Sequence, residues 1–572
     1  MRQNPGDYPL FVQGDRTLLL EVDHPRFAQA RESLLSFAEL IKSPDHLHTY
    51  HLTPLSIWNA RSAGVSAEWI VRTLHEFSKY EVPPHIEQWV SDYASRYGKL
   101  RMTRNGDEFI LEAEEVILAE EIWSQESIRE LLRNRINSET FSCRPENRGH
   151  LKQALIKVGY PVVDLAGFIP GELLEISLKR VCRNGVFHLR PYQEEAVDIF
   201  HASGSVRGGS GVVVLPCGAG KTVVGIGITA AIGNSTLILT TSTTAVRQWK
   251  EEILDKTSLH EDQIGEYTGF EKEIRPITVT TYQILIYRKS KTEEFSHFKL
   301  FDKRNWGLVI YDEVHLLPAP VFQMTAEIQA KRRLGLTATL VRGDGREDDV
   351  FALIGPKKVD IPWKIMEEQG WIAKAVCKEI RVQMSEKERM NYAVAPRRFK
   401  FRVASENSRK TEIVREIIKK HSVEPVLVIG TYVEHLNSLA MELEAEIIKG
   451  KTPQKKRDLI FEDFRAGRLK ILFVSKVANF AVDLPEASCA IQVSGTFGSR
   501  QEEAQRLGRI LRPKKENRQA YFYTLVTRNT LEQDFALKRQ LFLCEQGYRY
   551  EIFDEEEWDN AMEIKKEEMF HA

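Results

Sequence analysis

The stretch Gly211-Val212-Val213-Val214-Leu215-Pro216-Cys217-Gly218-Ala219-Gly220-Lys221-Thr222 sets the tightest limit on what this chain can fold into. Its apolar run, Val212 to Leu215, predicts a buried strand. Two glycines then break the chain, and an apolar segment opened by Lys221-Thr222 predicts a helix. Strand, glycine turn and helix start form a cradle whose backbone N–H groups converge on an anion. Leu215, Pro216, Cys217, Gly218, Ala219 and Gly220 would wall such a cradle. Lys221 would lie against the β- and γ-phosphates of a nucleotide, and the Thr222 hydroxyl would face Mg²⁺. The strict pattern G-x-x-x-x-G-K-[ST] lacks its first glycine, because Leu215 stands in that place.

Well downstream, the apolar run Leu308-Val309-Ile310-Tyr311 leads into Asp312-Glu313-Val314-His315. An acid just past a parallel strand projects over the sheet's carboxyl edge, where the cradle also lies. Asp312 suits magnesium binding, and Glu313 suits the base that polarises an attacking water. His315 reads either as a satisfied polar residue or as a link from the nucleotide to a neighbouring domain. Leu336-Thr337-Ala338-Thr339 offers hydroxyls at i and i+2 that could relay such a change. Far beyond, Arg509 and Arg512 stand three apart in Gln505-Arg506-Leu507-Gly508-Arg509-Ile510-Leu511-Arg512, on one face of a helix. Two guanidiniums pointing one way can neutralise charge on a γ-phosphate if a second domain brings them to the cradle. Upstream, Arg190-Pro191-Tyr192-Gln193 supplies an amide, Gln193, able to read the adenine edge.

At 572 residues the chain exceeds a single core, so about three or four domains are expected. A net charge of −1 gives no overall basic field, so any nucleic-acid contact must be local. Six scattered cysteines exclude zinc spacing and a disulfide frame. With no signal core and no bilayer-length apolar run, a soluble cytoplasmic protein is expected. Residues 1–100 read as mainly helical after a strand at Thr17 to Val22, and 101–185 as a small α/β module. From 186 to 550 apolar strands alternate with amphipathic helices. This predicts two parallel-sheet domains split near 373, with an acidic solvated tail from 551 to 572.

These blocks, in this order, resemble the superfamily 2 helicases of the XPB type. The likeness rests on Arg-Pro-Tyr-Gln at 190–193, the Pro216–Thr222 loop, Asp-Glu-Val-His, Phe473-Val474-Ser475-Lys476-Val477, Asp483-Leu484-Pro485-Glu486-Ala487 and the Gly498–Arg509 stretch. It implies two tandem RecA-like motor domains behind the N-terminal modules, and an ATP- and Mg²⁺-dependent 3′→5′ DNA helicase acting in repair. It further implies that Asp483 contacts the nucleotide. An Arg-Glu-Asp element is implied after the Thr-Ala-Thr box, fitted here by Arg346-Glu347-Asp348 although Arg342-Gly343-Asp344-Gly345 intervenes. A thumb-like insertion is implied near 384–410, where Arg397-Arg398-Phe399 mixes basic and aromatic side chains as phosphate contact and base stacking require. The expected partners are single-stranded or forked DNA and, because no cluster of nuclease carboxylates is evident, a separate nuclease, while the oligomeric state stays open between a monomer and a heterodimer with that nuclease. Two other readings stay open: an ATP-switched DNA-damage platform that recruits a nuclease, and an RNA helicase.

Overall fold

The structure is a computed structural model that describes the chain except residues 1–6, 43–45, 107, 184, 206, 217, 289–295, 329–330, 339–346, 362–365, 368, 372, 476–486, 496–518, 546–549 and 559–572. It divides into two compact units whose main boundary falls between Asp360 and Ile361, with two short upstream stretches, 42–45 and 216–219, grouped with the second.

The first unit is built on a seven-stranded parallel sheet. In spatial order its strands are Ile264–Tyr267, Ile277–Thr281, Thr236–Thr240, Leu308–Asp312, Arg332–Thr337, Ser210–Val214 and Lys357–Asp360. Parallel strands need helical crossovers that cover both faces, so their residues are apolar nearly throughout. Val212, Val213, Leu237, Leu239, Val309 and Ile310 are accordingly buried. The second unit carries a parallel sheet of the same size, ordered Glu446–Ile448, Ile471–Ser475, Val426–Gly430, Cys489–Gln492, Ala520–Thr527, Ala375–Val382, Tyr550–Asp554. Two such sheets in tandem are the RecA-like arrangement the family resemblance implies.

The N-terminal region carries a small sheet as well as its helices. Strands Leu10–Val12, Thr17–Glu21, Leu47–His51 and Glu39–Lys42 form a four-stranded sheet beside helices such as Ala67–Phe77 and Pro84–Arg96. In Leu47–His51 it is His48 and Tyr50 that point inward, so a two-residue period is disguised by a buried imidazole. A five-stranded sheet from Leu100 to Asp164 follows. The acidic end differs from its reading as a solvated tail. Tyr550–Asp554 pairs in parallel with Ala375–Val382 as an edge strand, and Trp558 is buried with its indole N–H donating to Glu416 Oε2 at 3.1 Å. The acids there have partners: Asp554 lies 3.2 Å from Arg528, and Glu555 accepts from Arg409 Nε at 2.6 Å. Residues 559–572 lie outside the described ones. Among the described residues no helix is long and apolar enough to cross a membrane.

The five-stranded module is fastened to the first parallel sheet by helix Arg148–Lys157. Gly149 lies against the backbone of helix Ala319–Glu327 so closely that a Cβ would stand 2.4 Å from the Ala326 carbonyl oxygen. Next to this contact Asp164 accepts from Arg148 at 3.0 and 2.6 Å and from Lys152 Nζ at 3.1 Å. Arg333, from the parallel sheet, is fully buried and adds its field to the same cluster. Burial pushes Lys152 down to about 8 despite its acidic partner, while Asp164, itself pushed up by burial, is held well below the usual carboxylate range by Lys152 and Arg148. One carboxylate thus faces buried cations from both sides of the joint. Asp164→Asn leaves them uncompensated and is expected to cost about 3–5 kcal/mol, read as a lowered urea midpoint for the first unit.

Candidate functional site

Three adjacent strands of the first sheet bring the predicted chemistry to one edge. Ser210–Val214 and Leu308–Asp312 both pair with Arg332–Thr337 between them, with Val214 opposite Thr337 and Asp312 opposite Leu336. The Leu215 N–H donates to the Thr337 carbonyl at 3.0 Å, which carries the chain off the sheet into the turn. Gly218 and Gly220 sit at φ 83° and 82°, in the left-handed region open to glycine at little cost. Helix Lys221–Ile232 then begins, with Lys221 and Thr222 in its first turn. A Cβ on Gly220 would stand 2.5 Å from Gln193 Nε2, so the amide expected to meet adenine packs directly on the turn. Gln193 is oriented from its other end, where Oε1 accepts from the Arg190 N–H at 3.0 Å. Arg190 Nη1 in turn donates to the Tyr192 hydroxyl at 3.2 Å.

Beyond the neighbouring strand, Glu313 adopts φ 51°, left-handed and costly for a residue with a Cβ. That turn sends its carboxylate back toward the cradle, and Lys221 Nζ lies 3.2 Å from Glu313 Oε1. Glu313 Oε2 is buried without a hydrogen-bond partner among the described residues, 3.5 Å from His315 Nδ1. His315 Nδ1 also meets the Thr337 hydroxyl at 2.7 Å. Asp312 is held differently, with its Oδ2 accepting from the Trp249 indole N–H at 2.9 Å and its carbonyl from the Tyr282 hydroxyl at 2.9 Å. Burial and the charge of Glu313 push the Asp312 carboxyl up to about 6. Burial pushes Glu313 the same way, yet Lys221, and after it His315, hold it below its ordinary value. The edge therefore presents one carboxylate kept ionised by a lysine, one held by neutral donors, and a glycine turn at a helix start.

Of the other predicted residues, Glu347 and Asp348 open helix Glu347–Leu353, whose Asp349 accepts from Gln153 of the five-stranded module at 2.7 Å. Arg397, Arg398 and Phe399 are exposed at the start of helix Arg397–Ser405 in the second unit. Phe401, two residues on, is buried instead, with its ring 5.3 Å from that of Phe535. Cys217, Thr339, Arg346, Asp483, Gln505, Arg509 and Arg512 lie outside the described residues.

Three family matches tile the chain. ERCC3/RAD25/XPB C-terminal helicase covers residues 366–571, type III restriction enzyme, res subunit, covers 186–342, and helicase conserved C-terminal domain covers 10–137. A DNA 3′-5′ helicase XPB of Kineococcus radiotolerans is 52% identical over 557 residues, 97% of this chain and 98% of that protein. A Mycobacterium tuberculosis protein with the same name is 52% identical over 549 residues, 96% of this chain and 98% of its own length. The chain belongs to the XPB family of helicases. The kinship extends to a eukaryotic XPB, the helicase/translocase subunit of general transcription and DNA repair factor IIH from Enterocytozoon bieneusi, 34% identical across 96% of this chain and 93% of that one. In this XPB-family chain, the match described as a C-terminal domain falls on the two N-terminal sheets.

Sequence reasoning missed Trp249 and Tyr282 at this edge. Val246, Trp249 and Ile253 repeat at helical spacing, and all three are buried, so nothing local set the tryptophan apart from core. The expected effect of Gly220→Ala follows from the turn geometry. Left-handed strain should cost about 1–3 kcal/mol, and displacement of Gln193 should shrink the rise in melting temperature that ATP produces.

Proposed function

We propose that the chain is an ATP-dependent 3′→5′ DNA helicase and translocase that couples hydrolysis of Mg·ATP to strand separation in DNA repair. The observation that carries this reading is the ion pair between Lys221 and Glu313. It joins the phosphate cradle to the acid box across an intervening strand, which neither motif requires if it is only structural. Lys221 and the helix start bind the β- and γ-phosphates, and Gln193 reads the base. Glu313, ionised beside Lys221 and with one buried oxygen free of hydrogen bonds, accepts a proton from the attacking water. The buried carboxylate of Asp312 and the half-buried Thr222 fit a magnesium ion, which would neutralise phosphate charge when bound. His315 and Thr337 relay the state of the site along the central strand.

The second lobe contributes Asp483, Arg509 and Arg512 to the nucleotide in this reading, with Gln505 in the same stretch. Positive charge supplied by one lobe to phosphates held by the other makes hydrolysis contingent on closure. DNA is contacted by Arg397, Arg398 and Phe399 and by the Arg346-Glu347-Asp348 element. Incision in a repair setting falls to a separate nuclease. The relatives named DNA 3′-5′ helicase XPB support the polarity and the DNA substrate.

Lys221→Ala is expected to abolish ATP binding, whereas Glu313→Gln should keep it and lower hydrolysis by about 10²–10⁴-fold. Arg509→Ala or Arg512→Ala should spare binding and cost about 10³-fold or more in hydrolysis. Displacement of a labelled strand from duplexes with a 3′ or a 5′ single-stranded tail tests the whole. Unwinding of the 3′-tailed duplex supports the helicase. ATP-dependent DNA binding without unwinding favours the platform, and stimulation of hydrolysis by RNA alone favours an RNA helicase.

A further inference from the structure

Trp249 has no part in the scheme above, yet it is the side chain that holds Asp312. It lies on helix Thr243–Lys256, whose start is fixed by the Ser242 hydroxyl accepting from the Ala245 N–H at 3.2 Å. Its ring is almost fully buried. On one side it bears on the cradle helix, where a Cβ at Gly225 would stand 2.6 Å from indole Cη2. The same imagined Cβ would stand 3.2 Å from Leu336 Cδ1, and Leu336 is the residue paired with Asp312 across the sheet. On the other side the indole N–H donates to Asp312 Oδ2 at 2.9 Å, and Tyr282 fixes the Asp312 carbonyl from below at 2.9 Å.

From this geometry we propose that Trp249 is a positioning residue. It reads the place of the cradle helix through Gly225 and fixes the Asp312 carboxylate relative to that helix, so that Thr222 and Asp312 present one preformed set of oxygens to a divalent cation on the nucleotide. The choice of donor is what the chemistry requires. A lysine or arginine would orient the carboxylate as well but would compete with the cation for its charge. An indole N–H gives direction without charge, and a hydrogen bond at a metal-facing carboxylate sets its orientation. Glycine at 225 is the matching half of the device, because any larger residue drives the ring away from the helix.

The proposal rests on the nucleotide reading, and its test separates the two. Binding of a methylanthraniloyl-labelled ATP, followed by anisotropy, is titrated with Mg²⁺ for the wild type, Trp249→Phe, Gly225→Ala, Trp306→Phe and Lys221→Ala. Trp249→Phe removes the donor. Gly225→Ala removes no polar atom and suits a helix, but pushes the ring. Trp306→Phe is the structural control, because Trp306 is equally buried and its indole N–H donates only to the Leu300 carbonyl at 2.9 Å. Expected is a rise of about ten-fold or more in half-saturating Mg²⁺ for both Trp249→Phe and Gly225→Ala. Their affinity for nucleotide in EDTA should stay at the wild-type value, and Trp306→Phe should bind Mg²⁺ like the wild type. An unchanged Mg²⁺ requirement in both variants, or an equal change in Trp306→Phe, overturns the positioning role and leaves the nucleotide site standing. Equal affinities for wild type and Lys221→Ala overturn the site and the proposal together.

Discussion

A lysine and a glutamate that belong to different motifs meet at 3.2 Å, and most of the first unit is arranged so that they can. Neither charge tolerates burial alone. Lys221 reaches the meeting point because the glycine turn starts its helix at the sheet edge. Glu313 reaches it because its backbone accepts a left-handed conformation that only the surrounding structure can enforce. The strand order does the rest: placing Arg332–Thr337 between the two motif strands sets the separation of their ends and puts Thr337 beside His315. The pair also masks each partner. In the proposed function a phosphate in the cradle would compete with Glu313 for Lys221 and so release the carboxylate.

Local spacing made the strand, glycine turn and helix start of the cradle legible, and the strand that ends at Asp312 with them, because each is a short run with a sharp break in its apolar pattern. The two parallel sheets were legible for a related reason: strands buried on both faces read as unbroken apolar runs such as Leu308 to Tyr311. Where burial falls on polar side chains, the pattern fails. His48 hides a strand, and partnered acids at 554 and 555 hide the last strand of the second sheet behind an apparent solvated tail. Trp249 escaped for the opposite reason, being so good a core residue by period that its polar contact left no trace. The Asp164 cluster was invisible too, since no sequence period links a carboxylate past the end of helix Arg148–Lys157 to cations within it, and Arg333 lies far downstream.

That cluster has a consequence for how the first unit behaves as a body. Apolar contact alone would let a small module slide or rock against the sheet, because dispersion is short in range and poor in direction. Bidentate pairing of Arg148 with Asp164, in a setting where an unpaired charge is costly, admits few alternative registers. The cation it shares with the motor, Arg333, lies near the beginning of the same strand whose end holds Thr337 against His315. One six-residue strand therefore carries the cation whose field reaches Asp164 near its start and the threonine that meets His315 at its end. A strand hydrogen-bonded on both sides within a parallel sheet is the stiffest element available to join them. The module and the cradle thus lie toward opposite ends of one strand, and motion of the module against the cradle would have to break the Asp164 cluster and the Gly149 contact, because the strand between them is held on both sides.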